Sequence, residues 1–212
     1  MRRSLLVFPF VAALGACAVP VRYAPIGPPA QHLPTSRLPG LSLDEVSDQS
    51  GRGELFIHHV GGVVNEFPDD PGVAWEPALR DALTLELQRI GWPAAADGAK
   101  VRLKAALVKT RADWNAGIGV KVDGKIRIEL VLQDAAGREI WRGGLDGAGS
   151  GTAAGGGGPD NGIREAWCAA LNDAISRLGP LLAKDRPWEA RGGSPEAVSS
   201  AAAEKPWWSK GQ

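Results

Sequence analysis

The sequence predicts an α+β fold: two helices packed on one face of a mostly antiparallel four- to five-stranded sheet, in the order β-α-β-β-β-α. Three observations predict it. Two stretches carry apolar residues at helical spacing, and several others alternate apolar and charged residues. Their order along the chain puts one helix after the first strand and the other after the last. Two amphipathic helices can then bury their stripes against the single apolar face of a sheet.

The first strand is read in Gly53 to Val64, through Leu55, Phe56, Ile57, Val60, Val63 and Val64, with a bulge or turn at Gly61-Gly62. The first helix starts near Trp75 or Glu76. Pro77 is tolerated in its first turn, where the missing N–H has no helical partner anyway. Leu79, Leu83, Leu87 and Ile90 form one apolar stripe, and Gly91 and Pro93 end the helix.

In the next strand Val101, Leu103, Ala105 and Leu107 alternate with Lys100, Arg102 and Lys104. Ile126, Ile128, Leu130 and Leu132 alternate with Lys125, Arg127 and Glu129 in the one after. That strand either begins as early as Ile118 or is preceded by a hairpin at Asp123-Gly124, and the sequence leaves both open. Asp134 to Gly137 is a turn, and Arg138 to Gly147 is the last strand.

Gly147 to Gly158 reads as a flexible connector. Asp160 or Asn161 then caps a final helix carrying Ile163, Trp167, Ala170, Leu171, Ala174, Ile175 and Leu178, which Gly179-Pro180 ends or kinks. A right-handed crossover through the first helix would set the following strand parallel to the first, if the two share an edge.

The chain divides into a signal segment at 1–16, a Pro-rich tether at 17–43, the α+β domain at 44–183 and a disordered tail at 184–212. Pro20, Pro25, Pro28, Pro29, Pro34 and Pro39 disfavour both helix and sheet, so this segment is expected to be an extended, semi-rigid leash. In the tail, Trp207 and Trp208 between lysines suit a membrane interface or a partner groove, and suit an unstructured end equally well.

Arg2 and Arg3 precede an apolar run from Leu5 to Leu14, and Leu14-Gly15-Ala16-Cys17 follows. A bilayer-spanning helix needs about 20 apolar residues, so the run is too short to span and has the layout of an export signal. It resembles the signal of bacterial lipoproteins. That resemblance implies cleavage before Cys17 and acylation of its sulfur and new amino terminus, palmitate included. It also implies that Ala18, where Asp would favour the inner membrane, directs the protein to the outer membrane, facing the periplasm.

The 24 basic and 24 acidic residues balance, so no basic excess marks a nucleic-acid footprint, and export argues against nucleic acid as a partner. With Cys17 acylated, Cys168 has no second cysteine to pair with and is read as a small buried residue of the last helix.

Together with Trp75 to Leu83 and Val131 to Trp141, the lipidation sequence resembles the small outer-membrane lipoproteins of the YajG-like kind and the auxiliary lipoproteins of ABC-type lipid transporters. The resemblance covers roughly residues 50 to 183. It departs at the end of the first strand, where an Asp-x-Arg is expected and His58-His59-Val60-Gly61-Gly62 stands instead. It implies no catalytic residues.

The sequence's own chemistry agrees with that. His58 and His59 on a strand point to opposite faces and cannot easily share an ion, so no metal site is expected. Gly147 to Thr152 lacks the Lys-Ser/Thr of a phosphate loop, and Gly149-Ser150-Gly151 is not a nucleophile elbow. Asp69-Asp70 reads as a solvated pair. No cofactor is expected.

Of the eight tryptophans, Trp92, Trp141 and Trp167 are expected in the core, whereas Trp75 and Trp114 lie near turns and are candidate contact residues. The expected function is a non-catalytic interaction or auxiliary module in envelope maintenance or lipid transport. It is held to the membrane by its lipid and binds an envelope protein or a lipid. A structural oligomer and a cell-envelope hydrolase are the alternatives.

Overall fold

The computed structural model describes residues 21–25, 32–34, 38–51, 53–59, 62–65, 73–95, 100–115, 121–152 and 158–189. Cys17, Trp207 and Trp208, the signal segment, Asp69-Asp70 and residues 118–120 lie outside them.

The class is α+β, as the sequence predicts. Its elements are β1 (Leu41–Asp48), β2 (Glu54–His59), β3 (Gly62–Asn65), α1 (Trp75–Arg89), β4 (Val101–Asn115), β5 (Lys121–Asp134), β6 (Glu139–Thr152), α2 (Gly158–Ser176) and α3 (Leu178–Asp185). They form one sheet in the order β3-β2-β4-β5-β6, with β1 also paired to β4. Consecutive long strands β4, β5 and β6 are antiparallel. β1 and β2 both run parallel to β4, as the crossover through α1 requires.

The first strand expected over Gly53 to Val64 is two paired pieces, β2 and β3, and β1 precedes it as an additional strand. β1 pairs with Val101 to Leu107 and β2 with Arg111 to Asn115, so the two form one interrupted edge along β4. The chain then turns between His59 and Gly62 to add β3. β1 escapes the sequence reading because its register slips between Leu43 and Glu45, which breaks its alternation.

A second slip lies between Leu107 and Lys109 on β4. Before it the odd residues Val101, Leu103, Ala105 and Leu107 are buried; after it Thr110 and Ala112 are. One extra residue reverses which side chains face the core, which hides the second half of the strand from a period-two reading. Asp123-Gly124 is not a hairpin. It lies inside β5, opposite Asp113 and Ala112.

α1 buries Trp75, Ala78, Leu79, Ala82, Leu83, Glu86 and Leu87. Its end is a Schellman motif. Trp92 N–H donates to the Leu87 carbonyl and Gly91 N–H to that of Gln88, with Gly91 at φ +82°. α2 already starts at Gly158, so Asp160 and Asn161 lie within its first turn rather than capping it. Asn161 accepts a hydrogen bond from Arg164 there. The helix breaks at Arg177, and α3 continues through Gly179-Pro180.

The stretch expected as a flexible glycine connector is strand from Gly147 to Thr152. Gly147, Gly149 and Gly151 occupy inward positions of β6, directly beneath α2. A Cβ at Gly147 would collide with the Ala170 carbonyl oxygen, and one at Gly151 with that of Gly162. At Gly124 a Cβ would stand 2.8 Å from the Ala166 carbonyl carbon. The helix therefore rests almost on bare strand backbone, with Ala166, Ala170 and Ala174 as its own small contact residues.

Placing α2 so close also shields the β6 edge. Asp173 accepts from Ala148 N–H (3.0 Å) and Glu165 from Thr152 N–H (3.1 Å). Both are backbone donors that an open edge would offer to another chain.

Among the described residues the first strand begins at Leu41, and two pieces of the expected leash are in the core, with Val21 3% and Leu33 4% exposed. At the other end Trp188, in the expected disordered tail, is buried and meets Trp92 edge-on at 5.5 Å.

Gly149→Val should lower unfolding stability by about 1–3 kcal/mol, the range for overpacking a close contact. Gly144→Ala, whose nearest neighbour is the Arg127 guanidinium at 3.5 Å, should change it by less than about 0.5 kcal/mol. Urea denaturation of the two variants checks the contrast.

Candidate functional site

The helices cover one face of the sheet and leave the other open among the described residues. On that face the outward residues of β4 and β5 are mostly charged, with Ala106, Val131 and Gln133 among the exceptions. Register places Lys109 directly opposite Arg127, and Arg111 directly opposite Lys125. Like charges facing each other across two strands cost stability. Four cations are thus set together at the centre of the open sheet.

Neighbouring carboxylates offset part of that repulsion. Glu54 pairs with Lys109 at 3.2 Å, and Asp146 on β6 reaches Arg127 at 3.5 Å. Asp113 takes Arg111 through both Nε (3.0 Å) and a terminal nitrogen (2.7 Å). The same guanidinium lies 4.2 Å from the centre of the Phe56 ring. Its guanidinium is thereby held between two partners. Further along, Lys104 meets Glu45, and Arg142 meets Glu129 and Glu139. The centre is basic, while the edges are mixed.

A second arrangement lies on the helical layer. Glu86 is 1% exposed, and its carboxylate accepts from the Tyr23 hydroxyl (2.6 Å) and from Arg89. Arg89 also donates to the Tyr23 oxygen at 3.1 Å. A buried carboxylate is tolerated only when paired and hydrogen-bonded in this way. Burial, then the hydrogen bond and negative charge of Glu86, push the Tyr23 phenol from 10.0 up to about 12.

This group fastens residues 21–25 to α1. Ala24 N–H donates to Asn172 of α2 (3.0 Å), and Leu33 N–H donates to the Ile90 carbonyl (2.9 Å). Trp92 Nε1 reaches the Pro39 carbonyl at 2.9 Å. The described pieces of the Pro-rich segment, residues 21–25, 32–34 and 38–40, thus form a strap bonded to the helical layer.

Of the predicted contact tryptophans, Trp75 and Trp114 are among the described residues, and their rings do not pair with each other. Trp75 is buried, edge-on to Trp167 at 5.5 Å, because it starts α1 with its ring turned to α2. Trp114 is half-buried against the core near the end of β4. Trp92, Trp141 and Trp167 are core residues, as expected. Trp141 Nε1 donates to Asp185 and Trp167 Nε1 to the Arg111 carbonyl. Cys168 is a free thiol, half-buried against the core. His58 and His59 are the last two residues of β2.

No family model matches the sequence, and no curated protein sequence matches it. Solved structures of similar chain path are found. A Xanthomonas campestris protein of the DUF330 family shares 13% identity at a TM-score of 0.44, covering 79% of this chain and 94% of its own. A minor lipoprotein of Acinetobacter baumannii shares 15% identity at a TM-score of 0.42, covering 69% and 96%. A dodecameric PelC of Paraburkholderia phytofirmans shares 16% at 0.34, covering 78% and 95%.

The sequence reading missed the basic quartet and the strap latch. Lys109 and Arg111 lie beyond the β4 bulge, so their partners across the sheet were not predictable from alternation alone. Tyr23 is the one tyrosine of the chain, set among prolines, and a lone aromatic in such a segment is a signal of docking that could have been used.

The Tyr23 shift has a pH signature. A phenol whose pKa is raised on folding contributes stability fully present below pH 10, its unfolded value, and lost as pH rises from 10 to about 12. Tyr23→Phe should lack this loss. Thermal unfolding of both proteins between pH 9 and 12 should show the wild-type midpoint falling further than the variant's; parallel curves would place Tyr23 in an ordinary environment.

Proposed function

We propose that the protein is a non-catalytic outer-membrane lipoprotein facing the periplasm. It is anchored through acylated Cys17 and acts as an auxiliary interaction module in envelope maintenance or lipid transport. The observation that carries the reading is Leu14-Gly15-Ala16-Cys17 set immediately before a folded two-layer body. Acyl chains add roughly 0.8 kcal/mol per buried CH₂, and two or more hold a protein stably on a bilayer.

The working surface in this reading is the open sheet face. Directly opposed cations are costly to a monomer and favourable once an anionic partner covers them. Arg111, pinned by Asp113 and Phe56, is pre-ordered for such a contact and loses little side-chain freedom on binding.

A structural oligomer is the second reading. Its support is the outer edge of β1, where among the described residues only Leu41 pairs onward, with Ala94.

Cys17→Ala should move the protein from the membrane to the soluble fraction, or leave it unprocessed. Lys109→Gln with Arg127→Gln should leave it in the membrane, within about 1 kcal/mol of wild-type stability, as is usual for surface changes. The same pair should reduce whatever co-purifies from crosslinked envelopes, in a salt-sensitive way. Unchanged co-purification would remove the basic face from the account, and a larger soluble assembly would favour the oligomer.

A further inference from the structure

The strap sets how far the body can stand from its anchor. Val21 is a core residue, Tyr23 is bonded to Glu86 and Arg89, and Ala24 is bonded to Asn172. The chain is therefore first fastened to the body at residues 21–25. Only the peptide units between Cys17 and Val21 remain as a link, and fully extended they reach ~14 Å. An unfastened leash from Cys17 to Leu41 would reach ~80 Å by the same measure.

The place where the chain enters the body also matters. Residues 21–25 bond to α1 and α2, which lie on the opposite side of the sheet from Lys109, Arg111, Lys125 and Arg127. The body is two layers thick, one of helices and one of sheet, each about 10 Å deep. A link of ~14 Å attached to the helical layer is too short to let the body roll over freely.

We infer that the strap holds the domain against the bilayer surface, with the helical layer toward the headgroups and the basic sheet face turned out to the periplasm. The inference rests on Cys17 carrying lipid, as proposed above. It differs from the expectation of an extended, semi-rigid proline leash. It also selects the partner. A face turned away from its own bilayer meets an acidic protein surface, not the anionic headgroups to which the chain is anchored.

The test uses the full lipidated protein in vesicles of phosphatidylethanolamine and phosphatidylglycerol. Hydrogen exchange reads the strap. The amides of Ala24 and Leu33 should be protected, and Val21→Ala with Tyr23→Phe should speed their exchange about tenfold, the loss expected for one charge-assisted hydrogen bond. Energy transfer to headgroup-labelled lipid reads the orientation. In a Cys168→Ala background, a dye at Gln88→Cys on α1 should transfer at least about twofold more than one at Gln133→Cys on the open face, given a separation of about two layers. In the strap variant that difference should shrink.

Ala24 and Leu33 amides exchanging as a free peptide would overturn the strap. Protected amides with equal or reversed transfer would overturn the orientation. If the protein does not float with the vesicles and its mass shows no lipid, the Cys17 reading fails and the orientation with it. Amide protection in that unlipidated chain would then show that the strap itself is sound.

Discussion

The contact of α2 with β5 and β6 governs the rest of the molecule. Gly124, Gly147, Gly149 and Gly151 strip side chains from the inner face of the sheet, so the helix comes down onto backbone. Ala166, Ala170 and Ala174 supply the matching small surface. Dense packing of this kind leaves no room for a methyl group, and interiors respond to single methylenes. The contact fixes where α2 lies, and α2 in turn positions the carboxylates of Asp173 and Glu165 over the β6 edge. It also sets Asn172 where the strap can reach it.

The two faces of the sheet divide the labour. One carries Ile128 and Leu130, is covered by helices bearing Leu83, Leu171 and Ile175, and supplies the stability of the body. The other carries opposed cations that a purely structural surface would avoid. Polar groups that weaken a local rule tend to mark working surfaces. The buried Glu86 is a different case. It is satisfied by Tyr23 and Arg89, and its role is to fasten chain to chain.

Much of the fold was legible because burial imposes regular periods. α1, the first half of β4 and most of β5 carry clean apolar patterns, and the Schellman end at Gly91 was marked by its glycine and Pro93. What was hidden was hidden by exceptions to the period. Register slips at Asp44 and Val108 broke the alternation of β1 and β4. Glycines at inward positions of β6 removed the apolar signal and made a strand look like a loop. The strap was obscured by its prolines, which forbid helix and sheet but do not forbid packing. Trp75 was misjudged because closeness to a turn was taken for exposure, whereas the first turn of α1 faces Trp167. The basic quartet depends on register between two strands, which composition does not reveal.

Position and orientation follow if one atom, the Cys17 sulfur, is acylated. A short link, a latched strap and a two-layer body then leave one face for the membrane and one for a partner. The direct measurement is the intact mass of the mature polypeptide extracted from its own envelope, with fragmentation of its amino terminus. The account predicts a chain that begins at Cys17 and carries a thioether-linked diacylglycerol with an amide-linked acyl group. A chain that retains Met1 to Ala16, or one that begins elsewhere with an unmodified cysteine thiol, would contradict it.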